Sequence, residues 1–253
     1  MEDITEKEHD WVEKTKAQIK KEERLKRQLQ KERKKRITRT LVWASSILIV
    51  ALLAVLIIVW PKPGPVEFAY DRIPTYGSPD AKVKLVEFGD FKCPTCAWFS
   101  QTMLSKLKTE PFIENGEVSF SYMNWTIIFQ DSVTAALAGL AVYHQNPDEF
   151  WKFYEYMYAN QQPEEFEVWA TPDYLVGVAQ AAGLNIDYDL LRKDIEEATY
   201  MDELDEHNAL ARKLNLTGTP TLFLNGKKLD WETTSNYDKL KAAIEKALRE
   251  AGA

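Results

Sequence analysis

Twenty consecutive residues, Leu41 to Trp60, carry no charge, and only Ser45 and Ser46 interrupt their apolar character. A helix of that length crosses the roughly 30 Å of hydrocarbon in a bilayer. Trp43 and Trp60 stand near its two ends, where indoles prefer the lipid–water interface. A cleaved signal peptide is the competing reading and fits poorly. Forty residues precede the run, the apolar part is too long, and Trp60-Pro61-Lys62-Pro63 is no small-residue cleavage site. The sequence therefore predicts a charged tail over 1–40, an uncleaved transmembrane signal anchor over 41–60, a proline-stiffened linker over 61–80 and a globular domain over 81–253.

Basic residues set the expected orientation. Between Lys20 and Thr40 there are 11 Lys/Arg against 3 Asp/Glu, whereas only Lys62 and Arg72 are basic in the twenty residues after the span. The positive-inside rule then puts the N-terminus in the cytoplasm and the chain from Pro61 onward outside, in the cell membrane as a single-pass protein. Charge divides the same way: residues 1–40 hold 14 Lys/Arg and 9 Asp/Glu, net +5, so the total of −7 leaves −12 for residues 41–253. An acidic domain argues against nucleic acid as a partner. The basic tail is expected to lie against anionic membrane lipid.

The only two cysteines are two positions apart, in Phe91-Lys92-Cys93-Pro94-Thr95-Cys96-Ala97-Trp98. The run before them, Val83 to Phe88, alternates apolar and charged residues as a strand does, and Ala97 to Leu107 has helical periodicity. Cys93 thus sits at a helix start, where unpaired N–H groups and the helix dipole favour thiolate over thiol. Pro94 fits the first helical position. Cys93 and Cys96 share one helix face and close a disulfide with little backbone movement. A structural disulfide would span a longer loop, since a two-residue loop restrains the unfolded chain little. Zinc needs more ligands than one CxxC, and only His144 and His207 lie in the domain, so no metal is expected. The pair reads as a redox dithiol, tuned by Pro94 and Thr95.

Further along, Glu117 to Trp125 alternates as a second strand, expected parallel to the first. Ser132 to Gln145, Asp148 to Asn160, Pro172 to Ala182 and Tyr188 to Leu214, the last in two pieces, carry helical patterns. Thr219 to Leu224 is a strand, Asn225-Gly226 a type I′ turn and Lys227 to Leu229 the returning strand. A last helix runs from about Tyr237 to Arg249. The order is βαβ, a helical block over about 131–214, then ββα: an α/β fold with an all-helical insertion.

Cys93-Pro94-Thr95-Cys96 after a strand, Thr219-Pro220 before the hairpin strand, and the helical insertion together resemble the thioredoxin superfamily, and within it the DsbA-like thiol:disulfide oxidoreductases, over about residues 66–250. The resemblance implies a thioredoxin fold and a cis bond at Pro220, with Thr219 and Pro220 presenting backbone to an extended substrate. It implies that Cys93 is the more exposed, attacking sulfur and Cys96 the buried one that resolves the mixed disulfide. It also places Glu87 beneath the dithiol as a proton relay, although Val83, Leu85 and Glu87 alternate with Lys84, Val86 and Phe88, so strand phase leaves an outward Glu87 open. The implied activity is disulfide formation in unfolded or reduced exported proteins, without a cofactor, with reoxidation by a quinone-linked membrane partner of the DsbB or VKOR kind. The rivals are a reductase or isomerase of the same fold and a non-enzymatic binding module.

Overall fold

The computed structural model describes residues 2–59 and 64–252, with side chains in the first span at 20, 21 and 23–56. Trp60 and the prolines expected to stiffen the linker, Pro61 and Pro63, lie outside the described residues. The chain divides into two units, residues 1–63 and 64–253.

The first unit is one helix, α1 (Glu2–Val59). Its stretch Glu23–Leu56 is long and apolar enough to cross a membrane. Apolar side chains from Leu41 to Leu56 are exposed all round the helix, a pattern suited to lipid rather than to a protein core. Ser45 and Ser46 donate their hydroxyls to the Val42 carbonyl, so neither polar group in the span needs water.

The second unit carries a five-stranded sheet in the order β1 (Thr75–Tyr76), β3 (Val118–Asn124), β2 (Val83–Gly89), β4 (Thr221–Leu224), β5 (Lys227–Lys228). β2 and β3 are parallel, and every other pairing is antiparallel. Parallel neighbours need a crossover, which here is α2 (Pro94–Trp98), a π-helical segment (Phe99–Leu104), α3 (Ser105–Leu107) and α4 (Pro111–Glu114). The single helix expected from Ala97 to Leu107 is thus widened in its middle, where Ser105 N–H reaches back five residues to the Ser100 carbonyl. Between β3 and β4 stand α5 (Ser132–Gln145), α6 (Pro147–Ala159), α7 (Pro172–Ala181), α8 (Tyr188–Glu196) and α9 (Met201–Lys213). Asn225 and Gly226, at φ 47° and 74°, make the turn into β5 that requires two left-handed residues. A short helix α10 (Trp231–Thr234), not anticipated, precedes α11 (Tyr237–Glu250).

Both faces of the sheet are covered, which is why β2 is apolar in both phases. Val83 and Leu85 pack with Phe120, Tyr122 and Leu222 against the insertion helices and α11. Val86 and Phe88 pack with Met123 and Phe223 in a smaller cluster on the other side.

The expected boundary at residue 81 needs correction. Phe68 and Ile73 are buried in that smaller cluster, Val66 N–H donates to the Gly226 carbonyl at 2.8 Å, and β1 pairs with β3. Residues 64–80 therefore belong to the domain; short irregular contacts hold them, and these leave no periodic trace in sequence.

Candidate active site

β2 ends at Gly89, and the loop Asp90–Lys92 delivers Cys93 to the start of α2. Cys93 has extended backbone angles (φ −77°, ψ 118°), Pro94 follows in the first turn, and Cys96 N–H points at the Cys93 sulfur at 3.4 Å. The residue is therefore the helix cap, with sulfur where an oxygen usually sits. From the opposite side the Thr219 carbonyl accepts the Cys93 thiol at 3.4 Å. The Thr219–Pro220 bond is cis.

Both sulfurs are free thiols. They differ less in exposure than expected, Cys93 at 4% and Cys96 at 0%, so Cys93 is itself nearly covered. Their acidities differ strongly. Cys93 is lowered to about 6, first by the Cys96 thiol, against burial, and then by the Thr219 side chain and the backbone N–H groups of Cys96 and Thr95. Cys96 is pushed well above the ordinary thiol value, first by burial, then by its hydrogen bond to Cys93 and the charge of Glu87. Helix-start N–H groups reach the first sulfur and not the second.

Glu87 is completely buried and shares its face of β2 with Val83 and Leu85, opposite Tyr122 on β3 and Leu222 on β4. Tyr154 on α6 donates its hydroxyl to Oε2 at 2.7 Å, while Oε1 finds no hydrogen-bond partner among the described residues. Burial drives the carboxyl up to about 8; the Tyr154 hydrogen bond opposes this, the Cys93 charge adds to it, and the neighbouring Cys96 thiol again opposes it. Gly89 is required here by space: a Cβ would lie 2.6 Å from Tyr122 Cε2 and 3.1 Å from Glu87 Oε1.

A second buried carboxylate pairs with the residue that precedes Cys93 and has opposite company. Lys92, fully buried, sends its ammonium to Asp131 Oδ1 and to the Glu167 carbonyl, over the rings of Phe129 and Trp169. Asp131 Oδ2 accepts the N–H groups of Trp169 and Ala170. Burial pushes Asp131 up, but Lys92 and those two N–H groups outweigh it, and its carboxyl ends below the ordinary value. Asp90 completes the framework, accepting from Lys92, Ile127 and Ile128 N–H groups. Tyr158 hydroxyl holds the Asp90 carbonyl, and Gln161 the Phe91 carbonyl.

The residues singled out in the sequence thus converge: Cys93, Cys96, Thr219 and Glu87 interact, Pro94 is exposed at the helix start, and Thr95 lines a groove of about 350 Å³ with Thr219, Pro220 and Trp231. Trp98 and Trp231 are both exposed, with ring centroids 6.4 Å apart, whereas Phe99, Met103 and Trp125 are core. Sequence reasoning missed Lys92, Asp131 and Tyr154. A lysine directly before the first cysteine of the CxxC was the one available hint.

A dithiol capping a helix, facing a cis-proline loop on a sheet with both faces covered, defines a thioredoxin-fold thiol–disulfide oxidoreductase. The thioredoxin family profile matches residues 71–246. The chain belongs to that family, on its DsbA-like branch of protein disulfide oxidoreductases. It is 36% identical over 182 residues to the probable disulfide bond formation protein D of Bacillus cereus, covering 72% of this chain and 82% of that one. The crystal structure of oxidised BdbD from Bacillus subtilis superposes with a TM-score of 0.68 at 32% identity, over 75% of this chain and all of that one. Chlamydia trachomatis DsbA shares the fold, with a TM-score of 0.64 at 24% identity over 76% of this chain and 99% of that one.

Proposed function

We propose that Cys93 and Cys96 are the redox centre of an oxidant that introduces disulfides into exported proteins. A client thiolate attacks Cys93 of the disulfide, a client–Cys93 bond forms, and the Cys93–Cys96 bond breaks with its electron pair on Cys96. Glu87, protonated near neutral pH, gives that sulfur its proton. A second client thiolate then attacks the client sulfur, and Cys93 leaves as a thiolate. The observation that carries this reading is the inequality of the sulfurs: a Cys93 thiol lowered to about 6 is a good leaving group and stabilises the reduced enzyme. Thr219 and Pro220 line the groove through which an extended client would reach Cys93, Pro220 lacking the N–H that would compete for the strand.

Supporting the membrane part of the proposal are α1 and its flanking charges: residues 1–40 cytoplasmic and against anionic lipid, 41–60 spanning, and the catalytic domain outside. Exchange itself calls for no cofactor, but turnover needs an oxidant, here a quinone-linked membrane protein of the DsbB or VKOR kind that accepts two electrons from the dithiol.

The test is redox equilibrium of the full-length protein in detergent micelles with glutathione, read by thiol alkylation. A midpoint well above the glutathione couple, with oxidation of a reduced model client, is expected. A midpoint near thioredoxin's, about −270 mV, would put the reductase in its place. A pair that does not cycle would leave only a binding module.

A further inference from the structure

We propose that Tyr154 is a positioning residue for the exchange reaction: its hydroxyl pins Glu87 Oε2, leaving Oε1 as the single oxygen that trades a proton with Cys96. This rests on the proton-relay reading of Glu87 and adds the device that makes the relay directional.

A carboxyl group has two equivalent oxygens, and an unrestrained one rotates between them. Tyr154 removes that freedom, with a donor 2.7 Å from Oε2 on a helix whose neighbouring residues, Phe150, Phe153 and Met157, are themselves fully buried. The other oxygen is buried and has no partner among the described residues. An orphaned acceptor in such a place costs free energy unless something visits it. Its acidic neighbours are Cys93 at the cap of α2, Cys96 within α2, Tyr122 from β3 and Tyr154 and Tyr158 from α6, with Asp90 in the loop after β2. All three tyrosines are held well above the ordinary phenol value, so none exchanges a proton near neutrality. Tyr122 and Tyr158 pair with each other at 3.2 Å, and Tyr158 also holds the Asp90 carbonyl. Cys93 acts on Glu87 through its charge alone, and the Asp90 carboxylate is occupied by the Lys92, Ile127 and Ile128 N–H groups, which leaves the Cys96 thiol to exchange with Oε1.

The step balances within the enzyme. When the disulfide opens, Cys96 takes the electron pair and the Oε1 proton, and Glu87 becomes a carboxylate that Tyr154 steadies. When the dithiol is reoxidised, the same oxygen recovers the proton as the Cys96 sulfur forms its bond.

The experiment compares wild type, Tyr154→Phe, Glu87→Gln and the double variant as full-length protein. It follows single-turnover oxidation of a reduced peptide against pH, with the infrared carbonyl band of protonated Glu87 as a direct readout. Tyr154→Phe is expected to move both the rate profile and the carbonyl titration up by about one pH unit, because a donor to the carboxylate is lost. The double variant is expected to match Glu87→Gln. An unmoved carbonyl titration in Tyr154→Phe would overturn the Tyr154 proposal while leaving Glu87 in place. Additive losses in the double variant would do the same, marking Tyr154 as mere packing. An unchanged rate profile in Glu87→Gln would remove the relay itself and the proposal with it.

Discussion

Glu87 sits with no cation and one phenol; Asp131 sits with an ammonium and two backbone N–H groups. Both carboxyls are within 5% of complete burial, and they move in opposite directions. Burial alone therefore does not fix what a carboxyl does. Company does: Asp131 is a permanent anion that fastens chain segments, whereas Glu87 holds a proton near neutrality and can part with it. The candidate site combines the two, an ion-paired frame around Asp131 and a buried carboxyl without a cation at Glu87.

The sharpest way to break this contrast is to remove the cation. Lys92→Met leaves the Asp131 carboxylate buried without its counter-charge and is expected to cost about 3–5 kcal/mol in urea unfolding of the full-length protein. The loss should be largest above the ordinary carboxyl value. Asp131 is lowered in the fold, so its contribution is present above 3.8 and disappears as pH falls through its depressed folded value.

Glu87→Gln should act in the reverse sense. A carboxyl raised from 4.5 to about 8 adds stability only below 4.5 and loses it progressively as pH rises through 8. The substitution is expected to stabilise the protein at pH 7 by up to about 3 kcal/mol while slowing turnover. The stability gap between variant and wild type should widen from pH 5 to pH 8, where Lys92→Met shows no comparable trend. Smaller still, Gly89→Ala forces a methyl toward Tyr122 and Glu87 Oε1 and should cost about 1–3 kcal/mol, with a change in the pH profile of exchange. If Gly89→Ala lowers stability and leaves that profile alone, the glycine serves Tyr122 and not the carboxyl.

The sequence exposed what local chemistry dictates. Cys93-Pro94 reads as a helix start because a proline there costs nothing, and Asn225-Gly226 as a hairpin because both residues tolerate positive φ; the structure gives them 47° and 74°. What it concealed is long-range. Tyr154 lies 67 positions from Glu87, and Asp131 lies 39 from Lys92, so nothing near either residue announces its partner. Strand phase left Glu87 undecided because helices cover both sides of the sheet, and a charged residue in either phase then faces protein. Residues 64–80 looked like tether because what holds them is irregular: Phe68 and Ile73 in the small cluster, one main-chain bond from Val66 and a two-residue strand.

Lys92 and Asp131 grip the segment between α6 and α7 by its main chain, at the Glu167 carbonyl and the Trp169 and Ala170 amides. Main-chain groups are the same whatever residue carries them. Phe166 and Val168, exposed in that segment at 64% and 53%, are thus free to be exchanged without loosening the frame. Evolution, or an engineer with a library of variants, has there a surface that can be rewritten while the scaffold under it stays constant.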